Sequence, residues 1–144
     1  MPNENWVGFA KSPKPNPDLS ALHVASTVEF ASPVDKVFKL VTSVEGLSSW
    51  LHKLEKSEVR TSGKIQFADV AEELQSAVFS HVELGRRVVI NSEMFGEISI
   101  AFEKRTPEMS ISFTKLVSAE NREQEQKLFD GLISKLRDKV GELS

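Results

Sequence analysis

Residues 28–50, VEFASPVDKVFKLVTSVEGLSSW, decide the fold of this chain. A strand pattern ends at Phe30, and Ser32-Pro33 then opens a short amphipathic helix. A second helix follows and carries Trp50. Further strands and one long terminal helix make up the rest of the sequence. This order predicts a sheet that curls around a helix, with a cavity between the two.

The first strand is expected to begin at Leu22. Leu22, Val24, Val28 and Phe30 alternate with small or polar residues, which is the period-two pattern of a half-buried strand. Ser26 interrupts the apolar face of this strand. A polar side chain is therefore expected on the face that points toward the interior.

Two short helices are predicted after this strand, with a bend near Ser43. Ser32 is expected to cap the first helix, and Thr42 with Glu45 to cap the second. Both helices show apolar residues at the spacing of a core-facing stripe. These stripes are Val34, Val37, Phe38 and Val41, and then Leu47, Trp50, Leu51 and Leu54.

The middle of the chain predicts consecutive strands joined by short turns at Gly85 and at Thr106-Pro107. Strands in this sequence order with short turns are typical of an antiparallel meander. The residues expected to share a face are Ile65, Phe67 and Asp69; Leu74, Val78 and Val82; Ile98, Ile100 and Phe102; and Met109, Ile111 and Phe113.

The terminal segment predicts a helix over residues 121–140, with Asn121 as its cap. One apolar stripe runs along it and is expected to face the sheet. This stripe consists of Leu128, Phe129, Leu132, Ile133, Leu136 and Val140.

Composition places the chain among soluble globular proteins of one domain, at 144 residues with a formal net charge of −3. Acidic and basic residues are interspersed, so nucleic acid is not an expected partner. The chain has no cysteine, no signal-like start and no apolar run that could span a membrane. We therefore expect a cytoplasmic location. No phosphate-binding loop is present, and no cofactor is expected.

Residues 1–20 are expected to form an arm apart from a single domain over residues 21–144. Four of the six prolines lie in this arm, which disfavours both helix and strand. Trp6 and Phe9 are its anchoring candidates. They are expected to cover a surface groove of the same domain, with a protein partner or self-association through the arm as the alternative.

Residues 28–30 and 32–38, then Leu47 and Trp50, and the hairpin VELGRRVVI at residues 82–90 carry a family resemblance. Over residues 22–142 the chain resembles the START-like (SRPBCC) superfamily. It is most similar to the branch named after the activator of the heat-shock protein 90 ATPase, with polyketide cyclase-like proteins as further relatives. The resemblance implies an α+β helix-grip fold, in which a curved antiparallel sheet wraps around a long C-terminal helix.

Polar residues on otherwise apolar strand faces are the candidates for orienting a ligand in such a cavity, because a buried polar group needs a partner. They are Ser26, Asp69, Ser76, Ser80 and Ser92, with Asp69 the sharpest of them. Bonds to neighbouring backbone are the alternative for each serine taken alone.

No catalytic residue is assigned, because His23, His52 and His81 are far apart in sequence and no metal-ligand spacing is present. The predicted site is a ligand-binding one, in which apolar side chains surround a few polar groups. Core packing is the alternative role for each aromatic residue. The predicted lining consists of Trp50, Phe67, Asp69, Val78, Ser80, Ser92, Met94, Ile100, Ile111, Phe113, Phe129, Leu132, Ile133 and Leu136.

Three functions remain open at this point. The first is a module that binds an apolar or amphipathic small molecule, lipid-like or polyketide-like, in an internal cavity. The second is an enzyme similar to polyketide cyclases and dehydratases, which commonly use Arg, Tyr, Asn or His in the cavity; this chain has no tyrosine. The third is a co-chaperone-like protein, as the name of the similar branch suggests.

Overall fold

The computed structural model describes residues 19–143, so Trp6, Phe9 and most of the predicted arm lie outside the described residues. Its strands are β1 (Leu19–Glu29), β2 (Leu54–Ser57), β3 (Lys64–Phe67), β4 (Ser76–Glu83), β5 (Arg87–Ser92), β6 (Gly96–Phe102) and β7 (Glu108–Ser118). Its helices are α1 (Val34–Leu40), α2 (Val44–Trp50) and α3 (Arg122–Glu142). Short 3-10 turns occupy Glu72–Leu74 and Ala119–Asn121.

The strands form one seven-stranded sheet in the order β1-β7-β6-β5-β4-β3-β2. All neighbours are antiparallel, and the first strand pairs with the last along its whole length, from Leu19 opposite Ser118 to Glu29 opposite Glu108. The long helix α3 packs against one face of this open sheet. The architecture is α+β and has the helix-grip arrangement, which confirms the predicted fold class.

The sheet has one strand more than the sequence pattern predicts. Leu54 was assigned to the stripe of the second helix, but α2 ends at Trp50 and Leu54 begins β2. Leu54 is nevertheless buried with Leu47 and Leu51, because both elements face the same core. The helical spacing of the apolar residues therefore predicted correctly that Leu54 is buried, but it predicted the end of the helix too late in the sequence.

The corner between α1 and α2 is capped by a different residue from the one predicted. The hydroxyl of Ser43 accepts a hydrogen bond from the Gly46 amide at 3.0 Å. The hydroxyl of Thr42 instead donates to the Phe38 carbonyl oxygen at 2.8 Å, a bond back into the preceding turn. The predicted Thr42 cap is therefore wrong by one residue.

The predicted cap of α1 is also wrong. Pro33 occupies the cap position, and the buried hydroxyl of Ser32 has no hydrogen-bond partner among the described residues. Val34 was expected in the core but is partly exposed, because α1 begins only there and its first turn faces outward. Val37, Phe38 and Val41 are buried as predicted.

Gly46 marks a close approach of α2 to α1 that any larger residue would disturb. A Cβ at Gly46 would lie 2.4 Å from the Lys39 carbonyl oxygen and 2.6 Å from the Leu40 Cα, both backbone atoms. We expect Gly46→Ala to lower the free energy of unfolding by about 1–3 kcal/mol through overpacking. Urea denaturation measures this change.

Gly131 supplies the matched control, since it lies within α3 and a Cβ there would have no atom within 4 Å. We expect Gly131→Ala to raise the free energy of unfolding by about 0.5–1 kcal/mol, because alanine loses less backbone entropy in a helix. A loss of stability in Gly131→Ala, or no loss in Gly46→Ala, would contradict this account of the two glycines.

The first part of strand β4, up to Ser80, has the opposite facing to the one predicted, whereas Val82 packs against the core as predicted. Leu74 lies in the 3-10 turn before the strand, and Ala77 and Phe79 are the residues that enter the core. Val78 opposes Asn91 on the outer face. A register shift between Phe79 and His81 then interrupts the alternation. The start of the strand reversed the predicted facing, and the bulge restores it at Val82. The alternation in the sequence shows neither feature.

Helix α3 begins at Arg122 and buries most of the predicted stripe against the sheet. Its buried residues are Phe129, Leu132, Ile133, Leu136 and Val140. Leu128, which was assigned to the same stripe, is 44% exposed because it lies beside the stripe rather than on it. Within residues 19–143, no helix combines the length and the apolar character that crossing a membrane requires.

Candidate functional site

Most of the predicted lining converges on the space between α3 and the sheet. Nine of the fourteen predicted residues belong to one buried apolar cluster, and Met94 packs against its edge. The nine are Trp50, Phe67, Ile100, Ile111, Phe113, Phe129, Leu132, Ile133 and Leu136. Helices α2 and α3 and the strands β3, β6 and β7 therefore bring together residues that are up to 86 positions apart, from Trp50 to Leu136.

This interior is filled by side chains. The rings of Phe113 on β7 and Phe129 on α3 are stacked, with centroids 4.6 Å apart and planes at 11°. Both residues, with Ile100 and Leu136, are 0% exposed, so no water-sized space adjoins them. The space between α3 and the sheet is therefore closed at these residues, rather than the preformed cavity that the sequence predicts.

The turn between β5 and β6 contributes to this filling. Phe95, in that turn, is buried and places its ring 5.6 Å from the ring of Phe67. The Ser92 hydroxyl accepts a hydrogen bond from the Phe95 amide at 2.9 Å. Ser92 thus shapes the turn that carries Phe95, which is the backbone role left open for the predicted serines.

Asp69 does not face the interior. Strand β3 ends at Phe67, and Asp69 follows in a bend with φ of 58°, a left-handed conformation that aspartate tolerates better than most residues. Its side chain is 75% exposed and lies 3.4 Å from the Lys53 amine. The predicted inward position is wrong because the alternation was extended two residues beyond the end of the strand.

Val78 and Ser80 also lie away from the space under α3, since this part of β4 faces the opposite way from the prediction. Ser80 contacts the side chain of Asn91 on the outer face of the sheet. Ser76 is exposed on the same strand. Ser26 does face α3, where its hydroxyl accepts a hydrogen bond from Arg137.

The three histidines occupy separate places. His23 Nδ1 lies 2.8 Å from Thr114 Oγ1, and His52 Nε2 lies 2.9 Å from the Ala68 carbonyl oxygen. His81 is partly exposed, and its hydrogen bond to Glu83 lowers the pKa of that carboxyl below its usual value. In the part of the chain that the structure describes, no three His, Asp or Glu residues are grouped as metal ligands would be.

A charged pair that the sequence pattern did not predict lies at the end of this interior. Lys115 Nζ donates to Glu125 Oε1 at 2.5 Å and to the Met94 carbonyl oxygen at 2.9 Å. The two side chains are only 22% and 19% exposed. Lys115 lies on β7 two residues from Phe113, and Glu125 lies one helical turn before Phe129, so each shares the inward face with a stacked ring.

The same alternation and helical spacing that identified Phe113 and Phe129 were sufficient to locate this pair. Charged residues are seldom buried without a partner, so an inward lysine on β7 indicates an inward acid opposite it. The result is an apolar interior with one ion pair at the end near the start of α3.

The depressions of the described surface lie elsewhere. One is an open trough of about 1140 Å³ on the outer face of the sheet, and two others, of about 460 and 540 Å³, are also open. None of the three includes a residue of α3. Residues of six strands, β2 to β7, line the trough, among them Lys64, Asn91, Glu97 and Thr114. Such a surface is open and of mixed polarity, and it does not enclose an apolar molecule.

Solved structures share this fold at low sequence identity. A Staphylococcus aureus protein of unknown function, SA2116, aligns with 89% of this chain and 96% of its own length, with a TM-score of 0.67 and 13% identity. The Aha1 dimer from Colwellia psychrerythraea aligns with 84% of this chain and 96% of its own, with a TM-score of 0.64 and 13% identity.

DynU16, from the dynemicin biosynthetic locus, aligns with 84% of this chain, with a TM-score of 0.61 and 14% identity. This chain spans 47% of DynU16. No protein-family model matches the chain, and no curated protein sequence matches it. At these identities the similarity establishes the fold alone.

Proposed function

We propose that this protein binds an amphipathic small molecule between α3 and the concave face of the sheet. One observation carries the proposal: an apolar interior, built around Phe113 and Phe129, ends at the ion pair of Lys115 and Glu125. An apolar interior with a charged group at one end is complementary to a molecule that has a hydrocarbon or fused-ring body and a polar head group.

The closed interior means that a guest must take space now held by side chains. Binding therefore requires a conformation in which α3, or the turn that carries Phe95, moves away from the sheet. The guest stabilises the open conformation by as much as its affinity for that conformation exceeds its affinity for the closed one. The apparent affinity is reduced by the fraction of molecules that are closed, so we expect moderate binding.

Burial of the guest supplies the driving force. Each buried CH₂ group contributes about 0.8 kcal/mol, so a chain of a dozen carbons provides on the order of 9 kcal/mol before the costs of opening and association. Lys115 is placed to exchange its partner, because its amine already lies at the boundary between the interior and solvent. An anionic head group on the guest replaces the Glu125 carboxylate as its partner in this proposal.

Two other functions have less support from the described residues. An enzyme of the polyketide cyclase kind requires acid or base groups inside the interior, whereas His81 and Asp69 are both substantially exposed. Lys115 and Glu125 do lie at the end of the interior, but they bind each other. The likeness of the fold to DynU16 favours a small-molecule ligand as much as it favours catalysis. A co-chaperone-like role depends on the arm, whose aromatic residues lie outside residues 19–143.

The test uses three probes. Dodecanoate and 1-dodecanol have the same chain length but an anionic and a neutral head group, and anthraquinone has a fused-ring body. Native mass spectrometry of the full chain measures retention, and the methyl resonances of labelled protein locate the site. We expect the methyl groups of Leu132, Ile133 and Leu136 to shift on binding, while those of Val78 and Leu116 on the outer face stay unchanged. Shifts confined to the outer face, or no shift with any probe, would refute the proposal.

Lys115→Met provides the sharper variant. We expect it to weaken dodecanoate binding by about tenfold, which corresponds to about 1.4 kcal/mol, and to change 1-dodecanol binding far less. Lys127→Met removes the same charge from the exposed side of α3 and serves as the control. Equal effects of the two variants on dodecanoate would show that Lys115 does not contact the head group. Isothermal titration calorimetry measures the affinities of the unmodified chain and of both variants for the two ligands.

A further inference from the structure

Strand β1 is an edge strand among the described residues, since only β7 pairs with it there. Along a strand of an antiparallel pair, the backbone N–H and C=O groups of one residue bond to the partner strand, and those of the next residue point away from it. The Phe30 amide donates to the Pro107 carbonyl oxygen at 2.9 Å, in register with the pairing of β1 and β7. Even-numbered residues of β1 therefore bond to β7. Odd-numbered residues direct their amides and carbonyls to the other edge.

Two arginines of α3 occupy this edge. Arg122 donates to the Ser20 hydroxyl at 2.9 Å and to the Ala21 carbonyl oxygen at 3.2 Å. Arg137 donates to the Ser26 hydroxyl and to the Thr27 carbonyl oxygen at 3.0 Å. Each guanidinium thus binds an inward serine and the edge carbonyl of the next residue. Both carbonyl oxygens belong to odd-numbered residues, as the pairing pattern requires.

The spacing of the two contacts matches the geometry of both elements. From Ala21 to Thr27 an extended strand rises about 20 Å, and from Arg122 to Arg137 a helix rises about 22 Å. The helix therefore runs alongside β1 in the same direction and meets its edge twice, by the same contact. Neither contact belongs to the apolar interior or to its ion pair.

We propose that Arg122 and Arg137 block the edge of β1 against pairing with a second copy of this chain. An incoming strand needs the edge carbonyls of Ala21 and Thr27, and each is already bound to a guanidinium. Between them only His23 and Ala25 offer unblocked edge groups among the described residues, which is shorter than a usual strand. Long open edges associate readily, and an antiparallel edge is complementary to itself about a two-fold axis.

The test compares the oligomeric state of the full chain with that of an R122Q/R137Q variant by sedimentation velocity between 10 and 500 µM. We expect the unmodified chain to stay monomeric and the variant to dimerise, with an association constant raised at least tenfold. R86Q/R87Q removes the same charge from the exposed hairpin between β4 and β5 and serves as the control. It is expected to remain monomeric.

Hydrogen exchange of the His23 and Ala25 amides provides the second measurement, because pairing through β1 protects them in the dimer alone. R122Q and R137Q are also measured as single variants, because the double variant can fail to fold. Each single variant is expected to associate more than the unmodified chain. Three results would overturn the proposal: all variants monomeric like R86Q/R87Q, an unmodified chain that already dimerises, or a dimer without protection of these amides.

Discussion

Replacement of Phe129 by alanine is expected to lower the free energy of unfolding by about 3–5 kcal/mol, the largest effect of a single substitution in α3. The ring of Phe129 is fully buried and stacked on Phe113, so its removal costs the transfer of the ring and leaves a cavity beneath the helix. The stacking of the two rings adds to this loss. Urea denaturation followed by circular dichroism measures the change.

Leu128→Ala is the matched control, because Leu128 is the preceding residue of the same helix and is partly exposed. We expect its effect to stay within about 0.5 kcal/mol. Comparable losses in the two variants would mean that α3 is not held to the sheet by the stacked pair. The cavity in Phe129→Ala is apolar, so benzene is expected to restore part of the lost stability.

Replacement of Trp50 by alanine is expected to cost about 3–5 kcal/mol as well. Trp50 is 1% exposed, and its indole Nε1 donates to the Leu40 carbonyl oxygen at 3.0 Å. The side chain therefore joins α2 to the end of α1 by packing and by a hydrogen bond. Its removal empties a large volume and leaves a buried carbonyl without its donor.

Trp50→Phe separates these two contributions, since it retains most of the ring and removes the donor. We expect a loss of about 1–3 kcal/mol from the unpaired Leu40 carbonyl, clearly smaller than that of Trp50→Ala. Thermal and urea denaturation of both variants measure the difference. If the two variants lose the same stability, the hydrogen bond rather than packing dominates at Trp50, contrary to the structure.

These two residues also bear on the proposed function. Phe129 fills the space that a guest would need, whereas Trp50 joins α2 to the end of α1. A substitution at Phe129 is thus expected to change both stability and ligand binding. A substitution at Trp50 is expected to change stability more than ligand binding. Comparison of the two variants therefore separates a change in the closed interior under α3 from a general loss of stability.

Periodicity predicted those parts of the fold in which burial alternates regularly. Ile98, Ile100, Met109, Ile111 and Phe113 all face α3 as expected, because β6 and β7 are central strands paired on both sides. A central strand with one buried face has its register fixed by the cost of turning apolar residues to solvent. The stripe of α3 followed from the same argument at helical spacing.

The candidate site was predicted less well than the fold. The apolar residues converge as expected, but Asp69 and Ser80 face solvent and the Lys115–Glu125 pair was missed. The predicted inward positions of these polar residues require an alternation that continues unchanged to the strand ends. A bend after Phe67 and a bulge after Phe79 break it there, and both depend on pairing with other strands.

The amino-acid sequence by itself determined the order of the elements and the apolar faces that they bury, since both depend on residues within a few positions of each other. Whether those faces enclose a cavity was decided only by the tertiary structure. The Phe113–Phe129 stack, the turn that inserts Phe95 and the two arginines on the edge of β1 join residues distant in the chain. Their fit depends on side-chain volumes meeting in three dimensions, which local periodicity does not encode.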